Sequence, residues 1–122
     1  MGDSTGVRAV AARRRAERSA ALAAAASYVK DVAGEVPVTV AVVFGSYARG
    51  DFNTWSDIDV LVVSDAFPPG FRERMDVLWR HRPPGIEPVG WTVAELAERR
   101  RRVDPIAVEA DTVGVVVAGE LP

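Results

Sequence analysis

The sequence predicts an α/β (α+β) fold, a small mixed sheet with helices packed on it. Three observations carry this. Residues 38–44 and 57–64 are short β-branched runs, too short for buried helices. Pro68-Pro69-Gly70 and Pro83-Pro84-Gly85 punctuate the chain. Stretches of helical period fill the intervals between these signals.

A long helix is expected first, over residues 7–32. The segment is rich in Ala and Arg, lacks proline, and meets stop signals at Gly34 and Pro37. Its apolar stripe runs through Val7, Val10, Ala11, Ala21, Leu22, Ala25, Val29 and Val32. Arg13, Arg14, Arg15 and Arg18 crowd its middle, either as a solvated face, the ordinary role of such a run, or as a contact for nucleic acid or a partner. Residues 38–44 form the first strand and end at Gly45-Ser46. Tyr47 to Gly50 allow only a short helical segment, and residues 51–56 have the Asn and Ser content of a loop.

Residues 57–64 form the second strand, with a polar start and an apolar body. A short amphipathic helix follows, with Phe71, Met75, Leu78 and Trp79 expected in the core. Residues 86–91 read as a third strand, and Pro88 and Gly90 assign it to a sheet edge. Thr92 and Glu95 form a capping box for a helix ending near Arg102, where Arg99 to Arg102 suit the helix dipole. Asp104-Pro105 starts another short helix, and residues 113–117 make a terminal strand. The predicted order is α-β-(short α)-β-α-β-α-α-β.

Composition narrows the function classes. The 122 residues suit one ordinary domain, 1–122, burying roughly two thirds of its surface. No apolar run approaches the roughly 20 residues that span a bilayer, and no secretory signal is visible, so a cytoplasmic protein without a membrane partner is expected. With no cysteine, thiol nucleophiles, disulfides and zinc-thiolate sites are excluded. The net charge of −2 argues against duplex DNA binding, which needs a strongly basic domain. Charge is unevenly placed all the same. Residues 51–70 hold four acids (Asp51, Asp57, Asp59, Asp65) and no base, which leaves room for a small anionic substrate bridged by metal.

Asp57 and Asp59 flank Ile58 in a strand, so both side chains leave the same face with Cα atoms about 6.5–7 Å apart. Two carboxylates so placed can grip one cation. Asp-x-Asp alone is a weak signal, but here Gly45-Ser46 lies at the end of the preceding strand. From this composition, Gly-Ser-x10-Asp-x-Asp should arise by chance roughly two or three times in a thousand such sequences. The pattern suits phosphate chemistry. Gly45 would let backbone approach a phosphate, Ser46 would add a hydroxyl donor or serve as an ordinary N-cap, and Arg49 is placed to reach outer phosphates. Gly45-x4-Gly50 superficially matches a P-loop, but Asp51 stands where lysine is required. A two-metal displacement wants a third carboxylate, and Glu87 is the candidate, sharing a strand face with Val89 and Trp91. The competing reading is a solvated edge-strand glutamate. His81 is assigned no role.

These residues, from Gly45-Ser46-Tyr47-Ala48-Arg49-Gly50 through Ser56-Asp57-Ile58-Asp59-Val60-Leu61-Val62-Val63, closely resemble the minimal nucleotidyltransferases of the polymerase-β-like superfamily. The motif covers about a sixth of the chain, and the element order over residues 38–91 fits that family's core. The resemblance implies that Gly45 and Ser46 bind nucleotide phosphates, and that Asp57 and Asp59 bind two magnesium ions. Glu87 would be the third carboxylate, where many relatives carry the shorter Asp. The implied reaction is attack of a hydroxyl on the α-phosphate of ATP or another nucleoside triphosphate, releasing pyrophosphate. Small prokaryotic members often act as antitoxins paired with a helical HEPN-type ribonuclease toxin, which makes a partner protein the expected acceptor. Two alternatives stay open: a catalytically silent module that neutralises a partner by contact, and an aminoglycoside-type small-molecule transferase working as a homo-oligomer.

Overall fold

A computed structural model describes residues 3–122. The elements are α1 (Asp3–Ala33), β1 (Val40–Phe44), α2 (Ser46–Arg49), β2 (Ile58–Val63), α3 (Phe71–Arg80), β3 (Ile86–Trp91), α4 (Val93–Arg101), α5 (Pro105–Thr112) and β4 (Val115–Gly119). Their order is the one the sequence predicts. The sheet runs β3-β2-β1-β4. β1 is antiparallel to both β2 and β4, whereas β2 and β3 are parallel, so the sheet is mixed.

Alternation along the central strands divides the core in two. Ala41, Val43, Val60 and Val62 face α1 and α3, together with Ala25, Val29, Val32 and Leu78. Val42, Phe44, Leu61 and Val63 face α4 and α5, together with Trp91, Leu96 and Ala110. All four residues Val60–Val63 are fully buried. Both faces of β1 and β2 are therefore covered, which is why these strands read as continuous apolar runs rather than alternating ones.

Several boundaries and burials differ from the sequence expectation. β4 begins two residues later than expected, because Val113 and Gly114 close α5 by donating backbone N–H bonds to the Glu109 carbonyl at 3.0 and 2.8 Å. Phe71 and Trp79 are not core residues: Phe71 is 80% exposed, and Trp79 is half exposed. α3 packs over edge strand β3, so only a narrow stripe of it is covered. That stripe is Val77 and Leu78, with Met75 at its margin. Trp79 lies instead beneath the Arg82 guanidinium, 4.2 Å from its ring centroid.

The stripe of α1 is likewise buried only in its second half. Residues 5–10 are exposed all round, and Val7 is 66% exposed. The 31-residue helix is about 46 Å long, so its first turns extend beyond the layer it covers. The arginine cluster splits into two kinds. Arg13 and Arg15 are exposed, whereas Arg14 and Arg18 turn inward and bond to backbone carbonyls after β1.

β3 is an edge strand with its outer backbone mostly occupied. Gly85 and Trp91 direct their carbonyls to β2, so Ile86, Pro88 and Gly90 direct their backbone polar groups outward. The Ile86 carbonyl accepts from Arg82 Nε at 2.5 Å, and the Gly90 carbonyl accepts from Arg74 Nη1 at 3.2 Å. Pro88 has no N–H to offer.

The α4–α5 turn carries the one non-glycine residue with positive φ among the described residues, Val103 at 54°. A β-branched residue in the left-handed region costs about 1–2 kcal/mol. The closed turn holds it there, with Asp104 N–H donating to the Arg99 carbonyl at 3.0 Å and Arg99 paired to the Asp104 carboxylate. Val103→Gly is expected to raise stability by about 1 kcal/mol, the relieved strain being partly offset by the greater freedom of glycine in the unfolded chain. A urea midpoint unchanged or lowered in the variant would contradict this.

Candidate functional site

Three strand ends meet at one edge of the sheet: the end of β1 and the starts of β2 and β3. Register pairs Phe44 with Asp59 across β1 and β2, and Asp59 with Glu87 across β2 and β3. Directly paired residues share a face, so Asp59 and Glu87 project to the same side as Leu61 and Trp91, toward α4 and α5. Asp57 lies just before β2, and alternation places it on that side too. Asp57 and Glu87 are exposed, whereas Asp59 is half-buried.

Gly45 is built tightly against this group. It follows β1 directly, serves as N-cap of α2, and has φ 76°, ψ −156°. A Cβ at this position would lie 2.1 Å from Asp59 Oδ2, an impossible contact. Glycine is required here twice over, once for its backbone angle and once for the closeness of the carboxylate. The sequence expectation gave Gly45 the task of approaching a phosphate, and the chain itself brings Asp59 to it. Because Gly45 is the N-cap, the Ser46 hydroxyl is not committed to capping α2.

The loop that follows β1 is clamped from both sides. From α1, Arg18 Nε donates to the Tyr47 carbonyl at 2.8 Å, and Arg14 Nη2 donates to the Gly50 and Phe52 carbonyls at 2.9 Å each. A four-residue helix cannot satisfy its own last carbonyls, and Arg18 does so for Tyr47 and, at 3.3 Å, Ala48, whereas Arg14 holds the chain just past the helix end. The Arg14 guanidinium also covers the Phe52 ring at 4.2 Å, and Phe52 stacks on Tyr47 at 4.4 Å between centroids. From α5, Glu109 Oε1 accepts from the Gly45 N–H at 3.3 Å and from Arg49 Nη1 at 2.5 Å. Arg49 also bonds to Asp51 at 3.2 Å. The cation expected to face outer phosphates is thus paired within the chain.

Glu109 has no counterpart in the sequence expectation. It stands 64 residues from Gly45, and only its place beside the buried stripe of Ala107 and Ala110 marks it as inward-leaning. Trp55 likewise has no role in the sequence expectation. It is 90% exposed in the loop leading to Asp57, where the Asn53 carboxamide oxygen accepts the Trp55 N–H at 2.8 Å.

The electrostatics of the group are those of surplus negative charge. Burial raises the proton affinity of Asp59, and Asp57, Glu87 and Glu109 raise it further, while Arg49 opposes them. Glu87 has a distant partner in Arg82, at 3.7 Å, and is half exposed. These hard oxygen donors suit a divalent cation such as magnesium whose shell is completed by ligands from outside the chain. Among the described residues no three acidic or histidine side chains are gathered into a ready cage. Asp57 and Asp59 are the pair best placed to begin such a shell, with Glu87 beside them.

Since the folded chain raises the Asp59 pKa above its ordinary value, the ionised carboxylate costs stability once pH rises through the unfolded value of about 4, and costs it fully above the folded pKa. Without added metal, Asp59→Asn is therefore expected to melt higher than the parent at pH 7, and the gap should close toward pH 3. The gain should stay under about 1 kcal/mol, because Asp59 keeps part of its solvent screening. Melting curves across that range test it, and a gap that is absent or widens on acidification would contradict it.

Comparison with known proteins bears on the family and the fold. The nucleotidyltransferase domain family matches residues 26–114, a stretch that includes Gly45, Asp57, Asp59, Glu87 and Glu109 but not Arg14 and Arg18 of α1. No curated protein is similar enough in sequence to serve as a relative. A crystal structure of a protein taken to be a nucleotidyltransferase from Sulfolobus solfataricus superposes with a TM-score of 0.63, at 24% identity over 84% of each chain, and shows a shared fold. With most of its length matched, the chain belongs to the nucleotidyltransferase domain family.

Proposed function

We propose that this nucleotidyltransferase moves a nucleoside monophosphate, with ATP as donor, onto a hydroxyl of a partner protein, in the manner of an antitoxin acting on a HEPN-type toxin. The observation that carries the reading is the packing of Asp59 against Gly45, with Asp57 and Glu87 beside it on one sheet face.

Each residue has a distinct task in this reading. Gly45 and Ser46 offer a backbone N–H and a free hydroxyl to phosphate oxygens. Arg49 lies one short helix further on and supplies positive charge. Asp57 and Asp59 would hold magnesium, with Glu87 as the third carboxylate. When bound, the metal would neutralise phosphate charge and make the acceptor hydroxyl more acidic. The acceptor oxygen bonds to the α-phosphorus as the bond to pyrophosphate breaks, and the hydroxyl proton passes to solvent water. Arg14 and Arg18 hold the cradle loop against α1.

A protein acceptor is favoured by what flanks the site. Val10 of α1 is half exposed beside Asn53 and Thr54 of the loop entering β2, and Trp55 stands out from that loop. Exposed aromatic and aliphatic side chains of this kind are typical anchors for a protein surface.

The test is transfer of label from α-phosphate-labelled ATP, with magnesium, to a protein that co-purifies with the chain. Asp59→Asn should lower labelling by more than about 100-fold. Undiminished labelling by that variant would remove Asp59 from the chemistry. Neutralisation of the partner without any labelling would favour the contact-only alternative.

A further inference from the structure

We propose that Glu109 is a built-in competitor for the nucleotide's phosphates, its carboxylate seated on the Gly45 N–H and the Arg49 guanidinium that a triphosphate would use. This rests on the nucleotidyl-transfer reading and adds to it a residue that sets how tightly the donor binds.

The geometry is specific. One oxygen, Glu109 Oε1, accepts from both groups, at 3.3 Å from Gly45 N and 2.5 Å from Arg49 Nη1. A backbone N–H at the end of a strand together with a guanidinium is the donor set that recognises phosphate oxygens, and a carboxylate is its nearest side-chain imitation. The backbone of Glu109 cannot withdraw easily. α5 is capped by Asp104, starts with Pro105, and buries Ala107 and Ala110. The side chain, by contrast, is partly exposed, so an outward turn would carry it into solvent.

Charge gives the contact its sign. Glu109 belongs to the same group of acids as Asp59, so it is held there by Arg49 against the repulsion of its neighbours. An arriving triphosphate offers Arg49 more negative charge, and Glu109 would then face anions on both sides. Binding must displace it, and the population with Glu109 seated lowers the apparent affinity by the fraction of chains already open. Glu109 thus lowers affinity for the phosphate chain while leaving recognition of the nucleoside alone.

The experiment measures binding of the non-hydrolysable analogue α,β-methylene-ATP, of inorganic tripolyphosphate and of adenosine, each with magnesium, to the full chain and to two variants. Glu109→Ala should tighten binding of the analogue and of tripolyphosphate by about 10-fold or more, as expected when a charge-assisted bond to arginine no longer competes. Glu109→Gln, which keeps the shape and loses the charge, should tighten it by a smaller factor, and adenosine binding should not change. Unchanged or weaker tripolyphosphate binding in folded Glu109→Gln would overturn the proposal, with weaker binding making Glu109 a support of the cradle. Failure of every protein to bind any phosphate ligand would instead bring down the nucleotidyl-transfer reading beneath it.

Discussion

The close approach of Asp59 to Gly45 is the constraint on which the site depends. It joins the end of one strand to the start of the next without an intervening side chain, and it sets where α2 begins. Because the contact leaves no room for a Cβ, any side chain at position 45 would force the Asp59 carboxylate to move. The flanking β1–β2 ladder, with all of its central residues buried, holds the two strand ends together. Rigid elements hold reacting groups more accurately than loops do.

Around this fixed point the chain arranges opposing charges at some cost. Four acids gather near the strand ends, and the guanidinium nearest them is already engaged. Arg14 and Arg18 are used differently, Arg18 as a cap for carbonyls that a single helical turn leaves unsatisfied and Arg14 as a tie to the loop carbonyls just beyond it. Helix α1 is thereby both a layer of the core, through Ala25, Val29 and Val32, and a brace for the loop. An electrostatically unfavourable group held by well-packed surroundings is the usual signature of a site shaped for a ligand.

Much of the fold was legible because the signals are local. The β-branched runs marked β1 and β2, Thr92 with Glu95 marked the start of α4, and Pro88 marked an edge strand, each by a rule that acts within a few residues. The glycine-serine and Asp-x-Asp pattern was legible for the same reason. What was hidden depends on register and on distant partners. The pairing of Asp59 with Glu87 follows from where β3 lands after a crossover through α3, and alternation within β3 alone does not specify it. Glu109 reaches Gly45 only because α5 folds back over the sheet. The exposure of Phe71 and Val7 reflects how far each helix overhangs the layer beneath it, which periodicity does not encode.

The treatment of the β3 margin has a consequence for assembly. Arg74 and Arg82 cap two of its three outward carbonyls, those of Gly90 and Ile86, and Pro88 removes a donor, so another chain finds few free groups there to zip onto. Annexing a neighbour's strand can then happen on the β4 flank alone. A ribbon with one closed margin can be extended once, to a pair of copies, and then has nowhere further to grow. Pairing through a single margin would close at two copies instead of running on as an open array.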